Sequence, residues 1–266
     1  MEKKVILITG ASAGIGRACA ELLDQRGWTV VGASRRGTSS GSWLGVTMDV
    51  DDDESVARTV DQVIQQFGRL DTVLACAGWG LAGSAEHTPM AKAKSQLETN
   101  FWGVVRTVQA ALPIMREHGG GRIVLMSSLG GVIGIPFQSF YSASKFALEG
   151  FAEALAYEVE PYGVQVTLVQ PGNFKTDFTD RRHLVAVASD DPYASAQAMA
   201  ISTMERDEMN GANPVNVAKV VARILNQRHP PRRVSVGKFD ERVGVFAKRL
   251  MPFRLYEKSA RKSLGV

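Results

Sequence analysis

Six short apolar runs, KVILIT (4–9), TVVGAS (29–34), LGVTM (44–48), DTVLAC (71–76), RIVLMS (122–127) and VQVTLVQ (164–170), punctuate the chain, and helical patterns separate them. They lack the polar/apolar alternation of a strand with one wet face, so they suit strands covered on both sides of a parallel sheet. RRVSVG (232–237) is a seventh candidate. Ile15, Ala18, Cys19, Leu22 and Leu23 mark one helical face; Val56, Val60, Val63, Ile64 and Phe67 mark another, behind an acidic start at 51–53 that suits the helix dipole. Long helices are predicted at about 90–116 and 141–160. This alternation predicts an α/β fold, a doubly wound parallel sheet with right-handed crossovers. No linker or repeat divides residues 1–266, so one domain is expected. Residues 174–212 are polar, rich in Met and Ala, and read as a strandless insertion above the sheet, a substrate lid that orders when ligands bind.

Composition excludes several classes. Hydrophobic residues make up 45% of the 266 and charged ones 22%, as in an ordinary globular protein. The apolar run in MEKKVILITG is too short for a secretory leader. The uncharged stretch 123–144 is interrupted by Ser127, Ser128, Gly130, Gly131, Gly134, Pro136 and Gln138, so no transmembrane segment is predicted. Cys19 and Cys76 form no disulfide framework, and His87, His118, His183 and His229 form no metal motif. A reducing cytoplasm without a metal is expected. The net charge of +4 is uneven: in 232–266, ten Lys or Arg face only Asp240, Glu241 and Glu257. A basic C-terminal segment of this kind could meet nucleic acid or an anionic membrane; without a nucleic-acid motif it reads as a solvated helix face, and no nucleic-acid partner is expected.

VILITGASAGIG joins the first strand to the first helix. Gly10, Gly14 and Gly16 permit a tight turn and close backbone approach, and the helix N-terminus offers free N–H groups to a pyrophosphate. At the end of the second strand, where a carboxylate would hold a ribose 2′-hydroxyl, the chain has Ser34, Arg35 and Arg36; no acid occurs between Asp24 and Asp49. Two guanidiniums there suit a 2′-phosphate, so NADP(H) is the expected cofactor. Tyr141 and Lys145 lie four residues apart, on one helical face. An ammonium beside a phenol favours the phenolate, which predicts a lowered tyrosine pKa and proton exchange near neutral pH.

TGASAGIG, CAG at 76–78, Asn100, Ser128, Tyr141-x-x-x-Lys145 and PGNFKT at 171–176 follow one another in an order and spacing that resemble the short-chain dehydrogenase/reductase family, whose fold is of the Rossmann type. GGVIGIPFQSFYSASKFALEG, with CAGWGLAG, is similar to its 17β-hydroxysteroid and retinol dehydrogenase branch. The resemblance implies an NADP-dependent oxidoreductase acting on a carbonyl/alcohol pair. It implies Tyr141 as general acid/base, Lys145 as its modulator and ribose ligand, Ser128 as a hydrogen bond to the substrate oxygen, and Asn100 as the holder of a relay water. It further implies cofactor contacts from Gly10, Ser12, Gly14, Ile15 and Gly16 in the loop, and from Asp49 and Val50 at the adenine. Ala77 and Gly78 would follow in the CAG turn, and Pro171, Gly172, Phe174 and Thr176 at the nicotinamide. Cys76 stands where the family usually has Asn, which puts local stability in question. Ala13 lacks the basic side chain of some NADP-dependent members, leaving preference to Ser12, Arg35 and Arg36.

The rival reading is a catalytically silent NADP(H)-binding regulator or sensor; such proteins usually lose the Tyr, Lys or Ser, all present here. An epimerase or dehydratase on this fold would call for a second lobe. Trp79, Leu81, Ile133, Phe137, Phe174, Phe178, Met199 and Met204 are candidates for an apolar pocket, favouring a lipophilic small-molecule carbonyl or alcohol. A homodimer or homotetramer packed through the two long helices is expected, from Ala147, Phe151, Ala152 and Leu155.

Overall fold

The computed structural model describes residues 3–39 and 41–264. All seven anticipated strands form and pair in parallel: β1 (Val5–Thr9), β2 (Thr29–Ser34), β3 (Leu44–Thr47), β4 (Thr72–Ala75), β6 (Gly121–Met126), β7 (Val164–Pro171) and β9 (Arg233–Val236). Their order in the sheet is β3-β2-β1-β4-β6-β7-β9. The chain runs outward from β1 to β3, then returns to place β4 against β1's other side, with Leu7 opposite both Val31 and Val73. A doubly wound sheet opens a crevice at such a reversal, outside the carboxyl ends of its strands.

Helices cover both faces. α1 (Gly14–Gln25) and α7 (Val215–Asn226) bury Leu23, Val217, Val221 and Leu225 against Ile6, Ile8, Leu74 and Val124. α2 (Asp53–Phe67), α4 (Gly103–Glu117) and α5 (Ser139–Val159) bury Val60, Val108, Leu148 and Leu155 against Leu7, Val73, Ile123 and Leu125. Adjacent strand residues therefore enter opposite cores, which accounts for the uninterrupted apolar runs. Helix α2 starts at Asp52, whose carboxylate accepts from the N–H groups of Glu54 and Ser55, and stops at Gly68 in the left-handed region.

Three sequence expectations change. The helix anticipated at 90–116 is α3 (Met90–Leu97) and α4 joined by a π-helical turn, Glu98–Trp102, with Asn100 inside it. The strandless insertion contains β8 (His183–Leu184), which pairs with β5 (Leu81–Ala82), and Phe174 bridges to Ala212. These two-residue strands exist through tertiary main-chain bonds, such as His183 N–H to the Gly80 carbonyl at 2.8 Å, and not through local propensity. Within 174–212 there is also α6 (Ala194–Met209). Finally, Ala152 and Leu155, two of the residues expected at a subunit interface, are buried in the core; Met90, Trp102, Phe146 and Tyr157 are the exposed large hydrophobic side chains of these helices.

The chain after β9 forms α8 (Phe239–Leu250) and α9 (Phe253–Leu264). Among the described residues, no helix is long and apolar enough to cross a membrane.

Candidate active site

The carboxyl ends of β1, β2, β4, β6 and β7 open into one cavity of about 1150 Å³. Its first corner is the glycine loop. Gly10 and Gly14 have φ of +69° and +53°, where a side chain is strained. A Cβ on Gly16 would stand 2.4 Å from the Gly10 carbonyl oxygen, so the helix seats directly on the turn. α1 has neither a capping side chain nor an acid in its first turn, and its leading N–H groups are left to a ligand. Gly10, Ser12, Gly14, Ile15 and Gly16 all line the cavity.

Beside this loop, Ser34, Arg35, Arg36, Asp49 and Val50 also line it. The Ser34 hydroxyl is buried without a hydrogen-bond partner, the kind of atom a bound ribose phosphate would satisfy. Arg36 reaches back across the mouth of the loop to donate to the Ser12 hydroxyl at 2.9 Å. Arg35 is exposed.

Ala77 and Gly78, on the turn after β4, form the next wall. The Cys76 substitution leaves this turn anchored, because the Thr9 hydroxyl accepts from the N–H groups of both Cys76 and Ala77, at 3.0 and 3.1 Å. Burial pushes the Cys76 thiol up to about 12, so it stays protonated and unreactive. Asn100 is fully buried and does not itself line the cavity. It accepts from the Trp79 N–H at 3.0 Å and donates to the Trp79 carbonyl and the Ser144 hydroxyl, at 3.0 and 3.2 Å. The extra residue of the π turn aims it there.

Tyr141 and Lys145, on the first turns of α5, border the cavity. The Lys145 ammonium donates to the Met126 carbonyl at 2.8 Å and lies 5.9 Å from the centre of the Tyr141 ring. Ser128, two residues past the end of β6, does not itself line the cavity; its hydroxyl accepts from the Gly130 N–H at 3.0 Å. The expected low phenol pKa is absent. Burial pushes Tyr141 up, against a smaller opposing pull from its hydrogen bond to Ser128 and with Glu208 and Arg182 acting in opposite senses. Burial likewise pushes Lys145 down to about 8, and with Cys76 protonated only the Glu149 carboxylate offsets part of that. Burial in one apolar wall shifts both groups toward their neutral forms, and the ammonium spends its nearest contact on a carbonyl.

The far end is closed by the segment after β7. Pro171, Gly172, Phe174 and Thr176 line the cavity. Trp79, Ile133, Phe178 and Met204 contribute apolar surface, and Phe178 meets Tyr141 edge-on at 5.9 Å. Of the remaining pocket candidates, Met199 points to solvent, Leu81 is buried in β5, and Phe137 packs beside Met204 with φ of +58°. Sequence reasoning missed Thr9 and Ser144, and of the roof it missed the charged groups and the part that the C-terminal helices supply. Glu208 lines the cavity and pairs with Arg182, whose side chain is buried with two unsatisfied nitrogens. Glu241 lines it too and accepts from the Asn173 N–H at 3.2 Å, tying α8 to the loop after Gly172. Tyr256 and Ser259 come from α9.

Residues 4–184 match the family model described as short chain dehydrogenase. The chain belongs to that family. It is 38% identical over 263 residues to a 3-ketodihydrosphingosine reductase of Bacteroides thetaiotaomicron, covering 98% of each chain. It is 33% identical over 252 residues to retinol dehydrogenase 8 of Bos taurus, covering 86% of this chain and 80% of that one. A solved short-chain dehydrogenase from Streptomyces avermitilis superposes with a TM-score of 0.84 at 30% identity, covering 98% of both. Solved members of the fold carry NADP in one case and NAD in another. The protein is thus an oxidoreductase of alcohol and carbonyl groups on a Rossmann-type fold, with a site for a nicotinamide dinucleotide. The glycine seat, the orphaned Ser34 hydroxyl and the size of the cavity all fit such a cofactor.

Proposed function

We propose that the protein is an NADP(H)-dependent reductase of a lipophilic ketone, with Tyr141 as the general acid. The observation that carries this reading is the position of Tyr141: its phenol borders the cavity beside Lys145, hydrogen-bonded to Ser128 just behind the wall, between the dinucleotide-fitting loop and the apolar roof. The bound dinucleotide supplies the hydride. Tyr141, protonated at neutral pH because burial raises its pKa, donates its proton to the carbonyl oxygen as charge develops there. The Ser128 hydroxyl, oriented by the Gly130 N–H, donates a second hydrogen bond to that oxygen. Lys145 holds the cofactor ribose and returns a proton to Tyr141, and Asn100 fixes the water through which Lys145 reaches solvent. Trp79, Ile133, Phe178 and Met204 receive the apolar part of the substrate. NADP over NAD rests on Arg35 and Arg36 with no acid at Ser34.

The name of the Bacteroides relative gives the first ketone to try. Turnover of NADPH is to be followed with 3-ketodihydrosphingosine, retinal, quinones and short water-soluble ketones. Preference for a long-chain ketone with NADPH supports the reading. Turnover confined to short ketones, or to NADH, would refute the substrate or the cofactor assignment respectively.

A further inference from the structure

Helix α8 wears its apolar stripe on the outside. Its inner face is used up: Val245 is buried, Glu241 accepts from the N–H groups of Asn173 and Lys238, and the Lys248 ammonium donates to the Val132 carbonyl above the Phe146 ring. On the opposite face Phe239, Val243, Phe246 and Leu250 follow one another at i, i+4, i+7 and i+11, and they are 80, 46, 61 and 71% exposed. Phe253 and Leu255, opening α9, are 69 and 57% exposed. A helix at the surface of a globular protein turns such a stripe toward the core. Isolated exposed apolar residues are ordinary, whereas a patch gathered on one short hairpin marks an interaction surface.

The chemistry around the patch selects the partner. Arg242, Arg254 and Lys258 are exposed within it. Of the hairpin's acids, Glu241 faces the cavity and Glu257 pairs with Arg261 at 3.0 Å, while Asp240, exposed at the cavity rim, lies about a quarter turn off the stripe. We propose that the α8–α9 hairpin docks on the surface of an anionic lipid bilayer. The apolar stripe enters the boundary of headgroups and acyl chains, and the basic side chains meet the phosphates. A second copy of the chain is the poorer occupant, because a two-fold contact through this face sets Arg242, Arg254 and Lys258 against their own counterparts. Since Gly244, Tyr256 and Ser259 of the same two helices line the cavity, docking brings the cavity's roof to the lipid. Attachment does not depend on the reaction proposed above, and binding is measured without turnover.

The test is sedimentation of the purified full chain with vesicles of phosphatidylcholine, with and without phosphatidylserine. Binding is expected to the mixed vesicles and to fall as salt is raised. Phe246→Glu is expected to weaken it about tenfold or more. Arg242→Gln combined with Arg254→Gln keeps the apolar stripe and is expected to cost about thirtyfold at low salt, and so to erase the preference for phosphatidylserine. Unchanged NADPH binding in each variant shows that the fold is intact. Failure of the wild-type chain to bind mixed vesicles would overturn the proposal, as would binding indifferent to both changes. So would a Phe246→Glu variant that leaves vesicle binding unchanged but halves the particle mass in light scattering, since the patch would then join two copies. A requirement for an acidic protein on the vesicles would assign the patch to that protein instead.

Discussion

The floor and the roof of the cavity are held by different means. The floor is made of strand ends: β1, β2, β4 and β6 stop with buried residues, and what they present is main chain, glycine and short hydroxyls. Its geometry follows from parallel pairing, with contacts such as Gly16 on the Gly10 carbonyl that no side chain can enter. The roof, from Phe174 onward, is helical and rests on side-chain ties: Arg182 to Glu208, Thr179 to Glu208 at 2.6 Å, and Glu241 to Asn173. The family match ends at residue 184, so it covers the floor and stops before α6. The reaction class can be read from the floor, whereas the substrate and any docking surface belong to the roof.

Changes in the floor are expected to act on chemistry and on the pH dependence of the fold. The largest concerns Lys145. Folding lowers its pKa from 10.5 to about 8, so between those values the unfolded chain binds more protons and stability rises with pH. Below pH 8 the buried charge costs stability in full. The relief is up to about 3 kcal/mol. Cys19, Cys76 and Tyr141 have raised pKa values and oppose it above pH 9, so the difference between wild type and Lys145→Met is the quantity to follow. Urea titrations of the ligand-free protein from pH 7 to 10 should show that difference moving in favour of wild type. A constant difference would mean that Lys145 is solvated.

A smaller effect is expected at the rim of the floor. Ser34→Asp with Arg35→Ala supplies an acceptor for ribose hydroxyls, repels a 2′-phosphate and removes one partner for it. Preference should shift from NADPH toward NADH by about tenfold or more, since one charge-assisted hydrogen bond contributes roughly 1.5 kcal/mol at its lower end. Kinetics with both cofactors decide it; wild type that already prefers NADH would place both guanidiniums in solvent.

The smallest effect sharpens the contrast with the roof. Glu241→Ala cuts the tie between α8 and Asn173 while leaving the glycine loop untouched. KM for the ketone is expected to rise a few-fold with kcat nearly constant, the sign of lost uniform binding. A fall in kcat equal to that in kcat/KM would place Glu241 in the chemical step.

The same contrast explains what the sequence disclosed. Buried strands such as VILIT and VQVTLV announce themselves because both sheet faces are covered, and the glycine spacing names its own turn. The cavity-lining positions of the floor came with them, as did Tyr141 and Lys145. The π turn at Asn100 was hidden, since one extra residue in a helix leaves no compositional trace. β5 and β8 were hidden because two residues form a strand only when their partner is already in place. The basic charge of α8 and α9 was plain, yet periodicity alone reports a stripe and not the direction it faces. The lowered phenol pKa was inferred from spacing; the depth of burial that reverses it is a property of the packed wall.

The central claim is that Tyr141 is the proton donor and not part of the cofactor seat. Tyr141→Phe keeps the ring against Phe178 and deletes one oxygen. With NADPH and the best ketone of the panel, kcat should fall by about 10²–10⁴-fold, while NADPH affinity, measured by fluorescence titration on the same preparation, stays within a few-fold of wild type. A variant that retains near-normal turnover, with its cofactor bound, would contradict the account.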